Sequence, residues 1–139
     1  MEIEVSIGEV ADKLSILAIK MKKVEDEEKL VNIEKEFKYL NYVIPEEILF
    51  DDLFAELCNI NEKLWNIEDD IRDCEREENF GERFVQLARL VYFTNDERAR
   101  VKREINIKYA SSFIEEKSYK RSEEHTSELQ SRETISYAV

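Results

Sequence analysis

LFAELCNINEKLWNIEDDIRDC, residues 53–74, is the stretch whose reading decides the fold. Its apolar side chains fall at Leu53, Leu57, Ile60, Leu64, Ile67, Ile71 and Cys74. The gaps alternate between four and three residues, the spacing of a helix that turns one seam toward partner helices. A second stripe, Asn61, Trp65, Glu68, Arg72 and Glu75, runs along the shoulder of that seam. An apolar seam with a polar stripe beside it predicts the central helix of a bundle.

The rest of the chain carries the same signature. Ser6 and Glu9 form an S-x-x-E capping box. The helix they open is predicted to run to about Val24, with Val10, Leu14, Leu17, Met21 and Val24 as its seam. Ile16 and Ile19 lie off that seam, so the first helix is apolar on more than one face. Two neighbours within the chain, or a dimer contact, would each account for that. Asp26 is placed to cap a second helix, with Glu27 and Glu28 in its first turn, where the helix dipole favours acids. Leu30, Ile33, Phe37 and Leu40 form its seam, and Pro45 ends it near Val43 by forcing Ile44 out of helical geometry. A third helix starts between Glu46 and Asp52 and continues to about Glu78. Asn79 and Glu82 repeat the capping pattern before a fourth helix carrying Phe84, Leu87, Val91, Val101 and Ile105. Asn95-Asp96 offers a local break in it, Ser111 and Ser112 an end, and Phe113 to Tyr119 a short closing segment. The fold expected is all-α: an antiparallel bundle of about four helices with a long C-terminal helical hairpin.

Composition sets bounds on function. A chain of 139 residues fits one domain, and two glycines with one proline suit a helical protein. A net charge of -12 repels phosphate backbones and anionic lipid, so nucleic acid is not an expected partner. No apolar run approaches the roughly 20 residues that span a bilayer, and the acidic N-terminus does not resemble a signal peptide. The expected location is the cytoplasm. Cys58 and Cys74 are too few for a disulfide framework and sit at or beside the seam, as inert thiols do.

Residues 121–139, RSEEHTSELQSRETISYAV, break character: they lack helical apolar spacing and are rich in Ser and Thr. RSEEHTSELQS resembles the translation of a common short-read sequencing adapter, and ISYAV resembles its continuation beyond a variable index. The expected division is therefore a single helical domain, residues 1–120, and a non-native or disordered tail, residues 121–139. The tail holds His125, the one histidine of the chain. It also holds two of the 21 bases and four of the 33 acids, leaving 19 and 29 in the body.

Without a histidine the body lacks the commonest general base and metal ligand. It has no G-x-S-x-G, P-loop or G-x-G-x-x-G motif. Glu68, Asp69, Asp70 and Asp73 could gather magnesium only with help from another helix, and a solvated acidic face is the expected reading; neither a metal nor a cofactor is expected. Folding the third and fourth helices about a turn near residue 78 makes facing residue numbers total roughly 157. Glu68 then meets Arg89, Trp65 meets Tyr92, and Asn61 meets Asn95 or Asp96, with Arg98 and Lys102 continuing the patch. Two readings follow. Glu68 and Arg89 belong to a structural polar network that fixes register. Alternatively, Asn61, Trp65, Arg72, Arg89, Asn95, Arg98 and Lys102 line a ligand site for a small anion, since guanidinium groups suit phosphate or carboxylate and an aromatic can stack on a ring.

The blocks IGEVADKLSILAIK, INEKLWNIEDDIR, FVQLARLVYFTNDERARVKREIN and SSFIEEKSY, in this order, resemble an uncharacterised family of small bacterial helical proteins. Some of those are found beside glycosyltransferases of surface-polysaccharide synthesis. The resemblance implies a cytoplasmic helical protein and transfers no catalytic residue. The leading expectation is a non-catalytic binding or interaction domain, accessory to surface-glycan synthesis. The alternatives are a small enzyme or sensor for a phosphorylated or nucleotide-sugar ligand held by the Arg/Lys patch, and a structural homodimerisation module. Expected partners are thus a protein or a small anion.

Because residues 121–139 contribute no seam, truncation after Lys120 is expected to leave the melting temperature unchanged in a thermal scan. A loss of several degrees, about 1 kcal/mol or more in a domain of this size, would show that the tail is structural.

Overall fold

The structure, a computed structural model, describes residues 1–114 and the side chains of residues 1–109. Five helices follow in order: α1 (Ile7–Lys23), α2 (Glu27–Val43), α3 (Glu46–Leu49), α4 (Asp52–Arg76) and α5 (Glu82–Ile114). Among the described residues there is no strand. The all-α bundle with its long C-terminal hairpin is as the periodicity indicated. Expectations for residues 121–139, and for the closing segment beyond Ile114, lie outside the described residues.

Local chemistry sets the boundaries. The Ser6 hydroxyl accepts from Glu9 N at 3.2 Å and opens α1. Asp26 Oδ1 accepts from Glu28 N at 3.0 Å and Lys29 N at 3.4 Å and opens α2. Pro45 ends α2 at Val43 and begins α3, a single turn that the apolar pattern had not separated from α4. Asp51 then starts α4, its carboxylate accepting from Leu53 N at 2.9 Å.

Two further differences concern α5. It runs unbroken through Asn95-Asp96, because Asn95 and Asp96 cap no new turn there and Thr94 and Arg98 are buried in the packed face. It also continues through Ser111 and Ser112 to Ile114.

The turn between α4 and α5 closes by a Schellman arrangement. Asn79 N donates to Cys74 O at 2.8 Å and Glu78 N donates to Glu75 O at 3.1 Å. This needs a left-handed residue, and Glu78 supplies it with φ of 55°. Asn79 turns its side chain to Gly81 N at 3.2 Å rather than forming a capping box with Glu82.

The hairpin register agrees with the sequence expectation. Glu56 pairs with Arg100 at 2.7 Å, their numbers totalling 156. At the open end the Asp51 carboxylate receives Lys108 Nζ and the Tyr109 hydroxyl, each at 2.6 Å. Asp51 therefore both caps α4 and latches it to α5.

Two apolar clusters form along this axis. One gathers α1, α3, α4 and α5 around Ala11, Leu14, Ile44, Ile48, Leu57, Ile60, Val101 and Ile105. The other is made by the distal hairpin alone, from Ile67, Cys74 and Leu87 with Ile71, Phe84 and Val91 packed on it. Helix α1 touches α2, α4 and α5, which explains its second apolar face: Ile19 is buried and Ile16 half-buried within the chain. Helix α2 lies on α1 and buries no side chain completely.

Glu78→Gly is expected to raise stability by about 0.5–1 kcal/mol, since glycine adopts the left-handed region without the Cβ penalty. Denaturant unfolding would measure it. Asp51 gives a pH dependence. Its two donors hold the carboxyl down at about 2, below its ordinary 3.8. The unfolded chain therefore takes up this proton first as pH falls, and the latch's contribution disappears between pH near 4 and pH near 2. Asp51→Asn is expected to be less stable at pH 7 and to lose less of its stability across that window.

Candidate functional site

Buried polar side chains run alongside the proximal apolar cluster and reach toward the distal one. Asp12 and Ser15 come from α1, Asn61 from α4, and Thr94, Arg98, Lys102 and Asn106 from α5; all are buried. The α5 contributors recur every four residues, so they form one ridge on the inner side of that helix. Arg98 and Lys102 are 0% exposed.

Asp12 is the hub. Arg98 grips its carboxylate with two donors, Nε to Oδ1 at 2.8 Å and Nη2 to Oδ2. Asn61 Nδ2 donates to Asp12 Oδ1 at 2.9 Å and to Ser15 Oγ at 2.7 Å. The Ser15 hydroxyl donates back to the Asp12 carbonyl at 2.7 Å. Lys102 Nζ stands 3.6 Å from Asp12 Oδ2, within ion-pair range but beyond a hydrogen bond. Burial alone would push the Asp12 carboxyl up, but Arg98, then Lys102 and Asn61, outweigh it and hold it below its ordinary value. Burial pulls the Lys102 ammonium down, Asp12 opposes that, and the charge of Arg98 reinforces it. Asn61 Oδ1, Thr94 Oγ1, Lys102 Nζ and Asn106 Nδ2 have no hydrogen-bond partner.

The ridge is extended by a backbone contact. Gly8 N donates to Asn106 Oδ1 at 2.6 Å, and a Cβ on Gly8 would lie 2.5 Å from the Lys102 carbonyl oxygen. Only glycine lets α1 approach α5 this closely, and that approach carries Asp12 to Arg98.

Of the residues proposed from sequence, Asn61, Arg98 and Lys102 come together, and Asn95 joins their edge by accepting from Arg98 Nη1 at 3.5 Å. Trp65, Arg72 and Arg89 do not join them. Trp65 is half-buried, and Tyr92, expected beside it, is exposed and sits edge-on to Phe93 at 5.7 Å. Tyr92 lies on the outer side of α5, away from the face that meets α4. Arg72 is exposed and bound to Asp69 at 3.3 Å. Arg89 is exposed, its guanidinium 5.7 Å from the Phe93 ring centre. Glu68 and Arg89 form no ion pair, so the structural network expected of them is not made. Burial raises the Glu68 carboxyl above its ordinary value, Arg72 countering and Asp69 adding to it. The network exists, but Asp12 takes the role given to Glu68, and Arg98 the role given to Arg89.

Asp12, the hub, was missed as a site residue, as were Ser15, Thr94, Asn106 and Gly8. The four-residue recurrence of Thr94, Arg98, Lys102 and Asn106, set among Leu87, Val91, Val101 and Ile105, was the signal that could have found two of them, Thr94 and Asn106. Among the described residues no group of three or more His, Cys, Asp or Glu is disposed to hold a metal ion. No described helix is long and apolar enough to cross a membrane.

Fold and site together define an all-α bundle organised on an internal charge network. The chain belongs to the family of unknown function DUF6165, whose model matches residues 1–132. That match runs past Lys120, across part of the stretch set apart above as adapter-like. No curated protein and no solved structure matches the chain.

Arg98→Met removes one partner of a buried pair and leaves the Asp12 carboxylate short of two donors. Stability is expected to fall by about 3–5 kcal/mol in denaturant unfolding. An Arg98→Met chain as stable as the original would mean that the pair does not hold the bundle.

Proposed function

We propose that this chain is a non-catalytic helical binding domain whose partner is a protein. The observation that carries the reading is an inversion of the usual order. The strongest cations of the central patch, Arg98 and Lys102, are internal and turned to Asp12, while large aromatic side chains face outward. Tyr39 is 66% exposed, Tyr42 87% and Phe50 81%. Val31, Lys35, Tyr39 and Tyr42 share the outer side of α2, opposite the Leu30, Ile33, Phe37 and Leu40 seam. A helix that buries none of its side chains completely yet exposes two tyrosines in adjacent turns offers rigid, amphipathic contact area of the kind protein interfaces favour.

The bacterial, cytoplasmic setting and the role accessory to surface-glycan synthesis come from the sequence resemblance and form part of the proposal. So does the exclusion of residues 121–139 from the binding surface. A second reading, a sensor or enzyme for a phosphorylated or nucleotide-sugar ligand, draws its support from Lys102 Nζ, Asn61 Oδ1 and Thr94 Oγ1, which lack hydrogen-bond partners. It requires the bundle to open, because these atoms are enclosed.

Calorimetry against a purified surface-polysaccharide glycosyltransferase distinguishes the two, run beside a thermal-shift series with nucleotide sugars and sugar phosphates. The first reading expects protein binding that a Tyr39→Ser, Tyr42→Ser double variant loses, with no small-molecule shift. A small anion that raises the melting temperature at saturation, with no protein binding, would transfer the case to the second.

A further inference from the structure

We draw no further inference here: the strongest candidate, the enclosed side-chain cluster around Lys102 and Asn106 on the inner ridge of α5, belongs to the polar site already described.

Discussion

The pairing of Asp12 with Arg98 is the constraint on which the bundle depends. Each is withdrawn from water almost completely, and an isolated charge in that position would cost several kcal/mol. Two donors from one guanidinium, with a third from Asn61, make the burial tolerable. A single carboxylate serves two cations here, and Lys102 has a weakened hold on its proton, first because it is buried and further because of the Arg98 charge beside it. Such an arrangement adds less to stability than an apolar layer of the same size would. What it supplies is uniqueness. A shift of α1 by one residue along α5 would carry Asp12 off its two donors and bring the α1 backbone at Gly8 out of its contact with Asn106. Geometry with so few acceptable alternatives defines the relative position of three helices.

Much of the fold was legible because helical periodicity and capping chemistry are local. The seams of α1, α2 and α4, the caps at Ser6 and Asp26 and the stop at Pro45 follow from residues within a turn of one another. The hairpin register was legible for a related reason, since one short turn fixes the facing numbers. The site was legible only in part. Asn61, Arg98 and Lys102 stood out as polar residues near apolar seams, yet their true partner is Asp12, far away in sequence on α1. The hairpin calculation considered α4 and α5 alone, so it gave Arg98 no carboxylate and gave Arg89 the wrong one. It also treated facing positions as touching positions, which brought Tyr92 to Trp65. Tyr92 has the right height along the hairpin and points away from it.

The two apolar clusters differ in kind. The proximal one is assembled from four helices and includes residues distant in sequence, such as Ala11 with Val101. The distal one comes from two helices joined by a turn and is therefore almost entirely local. Aromatic side chains left outside are concentrated on α2 and on the outer face of α5, the two places where a helix has fewer neighbours within the chain. Exposed surface and incomplete packing are thus the same fact viewed from two sides.

The unequal clusters also have a consequence for motion. Apolar contacts propagate cooperativity because loosening one strips contacts from the next. The distal hairpin is held by the smaller cluster, made by two helices alone, so its amide protons are expected to exchange with solvent ahead of those at the four-helix end.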